Sequence, residues 1–208
     1  MTHQPDSDAK LTIEEVSDCV ILAGGAGSRM GEPKAFLNYD GKLLIERIYS
    51  TVEPLFDRVC ASVKSTESLS RVPDLEWHAV LEDPPTATSL QEVLVNIIET
   101  VQAPTFIVAV DLPQVSQKLI RELCSSYNPG TSVIGVAEER PQPLAAVWDP
   151  SALDFSTPED GDLALLAWVR RAPFKVLNWP KDFKFQSEEN PFRNLNRPED
   201  LSDGDLAS

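Results

Sequence analysis

Apolar runs of strand length alternate with stretches of helical period between residues 18 and 127. Four runs have the length of a buried strand and cover residues 18–22, 58–63, 78–81 and 105–110. Apolar positions recur at helical spacing over residues 43–52, 90–101 and 116–127, and Ser116 suits the N-cap of the third stretch. This alternation predicts right-handed crossovers and an α/β fold, in which a single, mostly parallel, Rossmann-like sheet carries helices on both faces.

The chain beyond residue 130 is less regular. Its pattern predicts strands over residues 131–137, 144–148 and 175–178 and a helix over residues 161–172. Glu138, Glu139 and Arg140 fit an exposed turn. No linker rich in Pro, Gly or Ser divides the sequence, so we expect a loose polar N-terminus over residues 1–10 and one domain over residues 11–203.

Composition narrows the class of protein. With 42% hydrophobic and 25% charged residues, the chain of 208 residues is expected to fold around one core. It has no apolar stretch near the ~20 residues of a membrane helix and no secretory signal, which predicts a cytoplasmic location and no membrane partner. Cys19, Cys60 and Cys124 lie in apolar contexts, and we interpret them as buried free thiols.

The chain is also strongly acidic, with a formal net charge of -15. A field of that sign repels nucleic acid, so we expect no nucleic-acid partner. Solubility alone is a sufficient reason for such an excess of acid. An anionic substrate would nevertheless need a local basic surface or a divalent metal ion.

A glycine loop follows the first predicted strand. The sequence from Leu22 to Lys34 reads Leu-Ala-Gly-Gly-Ala-Gly-Ser-Arg-Met-Gly-Glu-Pro-Lys. Glycines in such a place let backbone amides approach a phosphate or a base edge, and Arg29 and Lys34 can neutralise a triphosphate. The loop lacks the ending of a Walker A motif and the spacing of a dinucleotide-binding fingerprint. A tight strand-to-helix turn is the alternative interpretation of the glycines.

The pattern Leu-Ala-Gly-Gly-x-x-x-Arg-Met-Gly-x-x-Lys resembles the signature of the nucleotidyltransferases that join a nucleoside monophosphate to a phosphorylated acceptor and release pyrophosphate. Within that superfamily the chain is most similar to the molybdenum cofactor guanylyltransferases, which transfer GMP from GTP to molybdopterin. The resemblance implies a nucleotidyltransferase-type fold, GTP and molybdopterin as substrates and Mg²⁺ as cofactor. It also implies a molybdoenzyme or a cofactor-handover protein as a candidate partner.

Two aspartates extend the resemblance. Val110-Asp111-Leu112-Pro113 closes an apolar strand and resembles the family's Asp-Met-Pro segment, whose aspartate holds the magnesium ion. Asp83 ends a Leu-Glu-Asp sequence similar to one whose aspartate borders the nucleotide. Because ligands of open α/β sheets bind beyond the carboxyl ends of the strands, we expect Asp111 and the glycine loop to face one cavity. A turn residue ahead of a proline is the alternative interpretation of Asp111.

The resemblance assigns roles residue by residue. It implies catalytic roles for Arg29, Lys34 and Asp111, with Asp111 as the metal ligand. It implies nucleotide contacts from Leu22, Ala23, Gly24, Gly25, Lys34, Asp83 and Asp111. The acceptor's own phosphate would attack GTP, which agrees with the lack of any Ser-His-Asp or Cys-His arrangement in the sequence.

The C-terminal sequence matches as well. Asn194-Leu195-Asn196-Arg197-Pro198-Glu199-Asp200-Leu201 resembles the family's Asn-x-Asn-Thr-Pro-Glu-Asp-Leu ending. The resemblance implies that Asn194 and Asn196 contact the substrate phosphates or the metal. A helix that starts at Pro198 is the alternative interpretation.

The chain departs from the family where the base would be selected. Residues 87–92 read Ala-Thr-Ser-Leu-Gln-Glu in place of Gly-Pro-Leu-x-Gly, and Lys64 stands where the family often has asparagine. Thr88-Ser89-Leu90 also resembles the Ser-Ser-Leu of cytidylyltransferases. Guanine is favoured because the C-terminal segment resembles the guanylyl branch. A cytidylyl- or sugar-phosphate nucleotidyltransferase, or a non-catalytic nucleotide-binding protein that hands over the cofactor, stays open as an alternative.

A local basic segment interrupts the acidic chain. Residues 168–197 contain seven Lys and Arg against three Asp and Glu. One hypothesis is an anion-attracting wall for the acceptor phosphate, with Trp179 or Phe183 stacked on the pterin. The competing interpretation is a solvated surface with its aromatic residues in the core.

Overall fold

The computed structural model describes residues 15–24, 32–153, 165, 169, 173–185 and 190–195. Its helices and strands follow the order β1 (Asp18–Leu22), β2 (Asn38–Tyr39), β3 (Lys42–Leu43), α1 (Leu44–Val52), β4 (Arg58–Val63), β5 (Ala79–Glu82), α2 (Leu90–Val101), β6 (Thr105–Ala109), α3 (Gln117–Ser125), β7 (Ser132–Ala137), β8 (Arg140–Trp148) and β9 (Phe174–Asn178). Short 3-10 helices cover Lys34–Phe36, Thr66–Arg71 and Pro150–Ala152.

Seven strands form one sheet in the order β5-β4-β1-β6-β8-β7-β9. Strand β1 is parallel to both β4 and β6, β4 is parallel to β5, and β7 is parallel to β9. Strand β8 is antiparallel to both of its neighbours. The predicted mostly parallel sheet is therefore confirmed, with β8 as the reversed strand. Strands β2 and β3 form a separate antiparallel hairpin.

Burial explains why the central strands read as continuous apolar runs. Every residue of β1 and of β6 is buried. Successive side chains of a strand point to opposite faces, so both faces of the sheet are covered at its centre. The helices are amphipathic instead, and Ser89 and Ser116 cap α2 and α3 by accepting backbone N–H groups of the first turn.

Most predicted elements are confirmed with their ends moved by a residue or two, and two predictions need correction. His78 does not begin a strand: it precedes β5, and its backbone N–H donates to the carbonyl of Val59. Strand β8 begins at Arg140 and not at residue 144. Glu138 and Glu139 both have positive φ angles, at 51° and 61°, which are typical of a tight two-residue hairpin turn. Strand β8 can therefore pair with β7 directly after the turn, from Arg140 opposite Ala137.

Other predictions fall wholly or partly outside the described residues. Of the helix predicted over residues 161–172, only Leu165 and Val169 are described, and both are helical. Residues 1–10 and 196–203 lie outside the described part, so the domain limits stay predictions. No helix among the described residues is both long and apolar enough to cross a membrane.

The cysteines are buried free thiols, as predicted. Burial raises the pKa of the Cys19 thiol well above its ordinary value, and the pKa of Cys60 is raised for the same main reason. Such thiols are poor nucleophiles at neutral pH, so neither is a candidate for covalent chemistry.

Candidate functional site

The carboxyl ends of β5, β4, β1 and β6 lie along one edge of the sheet. Leu22 at the end of β1 pairs in register with Ser62 of β4 and Ala109 of β6. Beyond the strands, the N–H of Ala23 donates to the carbonyl of Ser62 at 2.8 Å, and the N–H of Val110 donates to that of Leu22 at 3.2 Å. The start of the glycine loop, at Ala23 and Gly24, and the segment that leads to Asp111 therefore leave the sheet side by side, as expected for an open α/β fold.

Lys34 and Asp111 form an ion pair at this edge. The Lys34 Nζ atom lies 2.8 Å from Asp111 Oδ2, and less than a fifth of either side chain is exposed, at 19% and 17%. Lys34 begins the short 3-10 helix that follows Pro33, and Asp111 lies in the turn after β6. Two residues that the sequence singled out separately are thus in direct contact.

Asp111 is also a candidate metal ligand. Its Oδ1 atom is buried and has no hydrogen-bond partner among the described residues. The described part of the chain holds no group of three or more His, Cys, Asp and Glu side chains that could bind a metal by themselves. Mg²⁺ at phosphate sites is held by one or two carboxylates together with substrate oxygens, so a single aspartate with a spare oxygen fits such an ion.

A cavity of about 430 Å³ opens on the other side of β1. Its described lining consists of Leu22, Gly24, Ser62, Lys64, Asp83, Pro84, Pro85, Ala87, Thr88, Ser89, Leu90 and Val93. Asp111 is not among the described lining residues of this cavity, and residues 25–31 of the glycine loop lie outside the described part of the chain. That Asp111 and the glycine loop face one cavity therefore stays a prediction. In the sheet order, the end of β1 lies between the strands that line the cavity and β6, which leads to the Lys34–Asp111 pair.

Gly24 is required here by the close approach of a side chain. A Cβ atom at position 24 would overlap the carboxylate of Asp83. Asp83 is held in that place because its Oδ1 accepts a hydrogen bond of 2.7 Å from the Ser62 hydroxyl. The glycine was predicted to admit a phosphate or a base edge, and this role stays a prediction; the group that comes close to Gly24 in this structure is a carboxylate of the chain itself.

The outer wall of the cavity is the start of α2. Ser89 caps the helix, and the Glu92 carboxylate accepts from the backbone N–H groups of Thr88 and Ser89. These hydrogen bonds lower the pKa of Glu92. Lys64 lies exposed on the rim, and its side chain makes no hydrogen bond or ion pair with the described residues that surround the cavity.

The C-terminal segment contacts the turn that carries Asp111. The N–H of Leu195 donates a hydrogen bond of 2.8 Å to the carbonyl of Asp111, which places the neighbouring Asn194, itself exposed, beside the Asp111 turn. Asn196, Gly25 and Arg29 lie outside the described residues, so their predicted roles stay predictions.

The stacking role suggested for Phe183 is wrong. Phe183 is only 4% exposed, and its ring packs against those of Trp179, Phe185 and Phe192 at centroid distances of 5.4, 5.9 and 6.3 Å. Phe192 in turn covers Gly135, where a Cβ atom would overlap its ring. Phe183 and Phe192 therefore close the core, as the competing interpretation proposed, whereas Trp179 is half-buried and its suggested stacking role stays a prediction.

Sequence reasoning missed the residues that support the site. Ser62 holds Asp83, and its one signal was a hydroxyl inside an otherwise apolar strand. Arg47 donates to the carbonyl of Pro113 at 2.9 Å, and nothing in the pattern of α1 sets it apart. Arg71 pairs with Glu32 at 3.0 Å and lies 4.3 Å from the centroid of the Phe36 ring, so it holds the segment on both sides of Lys34.

The sequence matches a family model described as "MobA-like NTP transferase domain" over residues 19–171. A relative from Aquifex aeolicus, named "Probable molybdenum cofactor guanylyltransferase", is 24% identical, with 92% of each chain covered. A relative of the same name from Natranaerobius thermophilus is 29% identical, with 88% of this chain and 91% of that one covered.

Solved structures show the same fold. Molybdopterin-guanine dinucleotide biosynthesis protein A from Archaeoglobus fulgidus matches with a TM-score of 0.72 and 21% identity, covering 91% of this chain and 97% of that one. A nucleotidyl transferase from Methanothermobacter thermautotroptrophicus matches with a TM-score of 0.67 and 17% identity, covering 92% and 94%. The predicted nucleotidyltransferase-type fold is therefore confirmed.

Proposed function

Because the chain belongs to the MobA-like NTP transferase family, we propose that it transfers GMP from GTP to molybdopterin and releases pyrophosphate. The observation that carries the proposal is the placement of the Lys34–Asp111 pair and the Gly24–Asp83 cavity on the two sides of one strand end. A cation and an acid that would hold the metal lie next to a concave site that would take the base and ribose. The guanylyltransferase names of the relatives support the choice of GMP.

The reaction needs no nucleophile from the protein. An oxygen of the acceptor phosphate attacks the α-phosphorus of GTP, the bond from that phosphorus to the β-phosphate bridging oxygen breaks, and pyrophosphate leaves. The chain has to position the two substrates and stabilise the charge that develops on the phosphates. The burial of all three free thiols is consistent with this division of labour.

Each proposed site residue has a separate task. Lys34 would exchange its contact with Asp111 for one with the phosphates, and the backbone from Leu22 to Gly25 would approach the nucleotide. Arg29 would neutralise the leaving pyrophosphate, and Asn194 and Asn196 would contact the substrates. Asp83 would accept hydrogen bonds from the nucleotide at the cavity wall.

Asp111 is the residue that would hold Mg²⁺. Its buried Oδ1 lacks a hydrogen-bond partner among the described residues, and its Oδ2 is bound to a lysine that phosphates can draw away. When bound, the ion would neutralise phosphate charge that the acidic chain could not tolerate otherwise. A cytoplasmic location and a molybdoenzyme or handover partner stay predictions.

A second candidate is a cytidylyl- or sugar-phosphate nucleotidyltransferase. The observation that favours it is the composition of the cavity wall, where Thr88, Ser89 and Leu90 replace the glycine-containing segment expected of guanylyltransferases. This wall faces the space in which the base would lie. The choice of base is therefore the first property to measure.

The test is pyrophosphate release from GTP, CTP, ATP and UTP in turn, each with Mg²⁺ and molybdopterin. We expect release with GTP, dependent on both the acceptor and the metal. A preference for CTP would replace the proposal by the second candidate. Thermal stabilisation by a nucleotide without pyrophosphate release would indicate a non-catalytic cofactor-handover protein.

A further inference from the structure

Arg47 on α1 holds the turn that carries Asp111. Its Nε donates a hydrogen bond of 2.9 Å to the carbonyl oxygen of Pro113, which is a buried residue. A guanidinium donor makes this a charge-assisted bond, stronger than a bond between neutral groups. The position of the Asp111 turn therefore depends on a side chain from another element.

The same guanidinium holds the hairpin that follows Lys34. Its central carbon lies 5.3 Å from the centroid of the Tyr39 ring in β2, within the range of a cation–π contact. The Tyr39 hydroxyl accepts a hydrogen bond of 3.0 Å from Gln114, which lies in the Asp111 turn. The two segments that present Lys34 and Asp111 are thus connected to each other through Arg47 and Tyr39.

We propose that Arg47 is a positioning residue that sets the geometry of the Lys34–Asp111 pair and so the affinity of the site for the metal–nucleotide complex. The inference rests on the proposed function, in which Asp111 holds the divalent ion. Among the described residues, the Arg47 side chain contacts Pro113, Tyr39 and Asp40, so it acts through the turn and not on the reacting groups.

The physical reason is the sensitivity of a one-carboxylate metal site to small displacements. One oxygen of Asp111 has no partner in the described part of the chain, and the other is held at 2.8 Å by Lys34. With a single protein ligand, the direction of that ligand depends on its backbone. Supporting contacts of metal ligands change metal affinity by roughly 10- to 100-fold in other proteins.

The test compares Arg47→Met and Arg47→Lys with Arg58→Lys as the matched control. Arg47 and Arg58 are 31% and 44% exposed, and each makes an ionic or charge-assisted contact. Arg58 pairs with Asp18 at the opposite edge of the sheet, where β1 and β4 begin. The control therefore shows how much GTP affinity changes when an arginine away from the site is replaced.

The measured quantity is the affinity for GTP by calorimetry, once with Mn²⁺ as the metal probe and once with EDTA. We expect the increase in GTP affinity that Mn²⁺ gives over EDTA to fall about tenfold in Arg47→Met, near the lower end of the changes in metal affinity caused by loss of supporting contacts. In Arg47→Lys we expect a smaller fall. The affinity in EDTA and the gain in Arg58→Lys should stay at the wild-type value.

The outcomes are distinguishable. Two results would overturn the positioning role and leave the proposed function standing. In the first, Mn²⁺ raises the GTP affinity of a folded Arg47→Met variant as much as that of the wild type. In the second, the variant loses GTP affinity equally with Mn²⁺ and with EDTA. A wild-type protein that gains nothing from Mn²⁺ would overturn the metal assignment of the proposed function, and this inference with it. If Arg47→Met does not fold, the same measurement on Arg47→Lys and Arg58→Lys tests the positioning role: Mn²⁺ should raise GTP affinity less in Arg47→Lys than in Arg58→Lys, and an equal increase in both would overturn it.

Discussion

The two halves of the sheet differ in how they bring residues to the site. In the parallel half, β5-β4-β1-β6, the chain runs in one direction, so every strand delivers the residue after its end to the same edge. In the mixed half, β8-β7-β9, strand β8 runs backwards and contributes a hairpin turn there. The candidate chemistry accordingly belongs to the parallel half.

The mixed half packs against the C-terminal segment, which contacts the Asp111 turn. The lack of a side chain at Gly135, beside a shift in strand register, leaves room for the ring of Phe192. This packing holds the C-terminal segment, whose Leu195 binds the carbonyl of Asp111. The parallel half thus supplies reactive groups and the mixed half supplies packing, so substitutions in the two halves should have different effects.

The largest expected effect is that of Asp111→Ala in the parallel half. Loss of the carboxylate removes the metal ligand, and we expect nucleotide transfer to fall by at least about 100-fold, the scale on which loss of charge stabilisation acts. The measurement is pyrophosphate release with GTP and acceptor, on protein shown to be folded by circular dichroism. Asp74→Ala, which changes the net charge equally at an exposed turn, is the control. Near-normal turnover of Asp111→Ala would refute the metal assignment.

The next effect comes from a matched pair of glycines. A methyl group at Gly24 would collide with Asp83, whereas one at Gly135 would collide with Phe192. We expect Gly24→Ala to weaken GTP binding about tenfold, because Asp83 has to leave its place. We expect Gly135→Ala to lower the free energy of unfolding by about 1–3 kcal/mol, as for other overpacked cores, with little change in GTP affinity. Calorimetry measures the GTP affinity of both variants, and urea unfolding measures their stability. A Gly24→Ala variant that loses only stability, or a Gly135→Ala variant that loses only GTP affinity, would contradict the division of roles between the two halves of the sheet.

A smaller effect concerns acid stability in the mixed half. Burial raises the pKa of Asp149, but hydrogen bonds from Ser151, Tyr127 and Gly130 outweigh it and bring the pKa below the ordinary 3.8. A lowered folded pKa means that the carboxylate contributes stability above pH 3.8, and that this contribution is lost as the pH falls through the folded pKa.

Asp149→Asn should therefore be less stable than wild type at neutral pH, with a difference in unfolding free energy that shrinks below about pH 4. Urea unfolding at a series of pH values measures this difference. GTP affinity at neutral pH is the internal control and should not change. A difference that stays constant down to pH 3 would show that the charge of Asp149 is irrelevant to stability.

The smallest effect is expected from charge reversal at Lys181 and Lys184, both exposed. Because exposed charges act through a screened field, the double Glu variant should weaken acceptor binding about twofold at low salt and not at high salt. Acceptor titrations at two ionic strengths measure it. Unchanged affinity at low salt would remove the hypothesis of an anion-attracting wall and leave a solvated surface.

Features that depend on local patterns could be predicted from the sequence. The buried runs of β1 and β6, the cap at Ser116 and the position of Asp111 just after a strand were all predicted from the sequence. Strand and helix period, capping hydroxyls and glycine-rich turns act over a few residues, so a single sequence records them. The direction of the parallel strands then placed their ends at one edge.

Tertiary structure alone decided which groups meet there. The Lys34–Asp111 contact joins residues 77 positions apart, and the Arg47–Pro113 contact joins residues 66 positions apart. It also decided that Phe183 closes the core and that Asp83 and Asp111 lie on opposite sides of the end of β1. Such contacts depend on how elements pack in three dimensions, and no periodicity along the chain encodes the distance between side chains of separate elements.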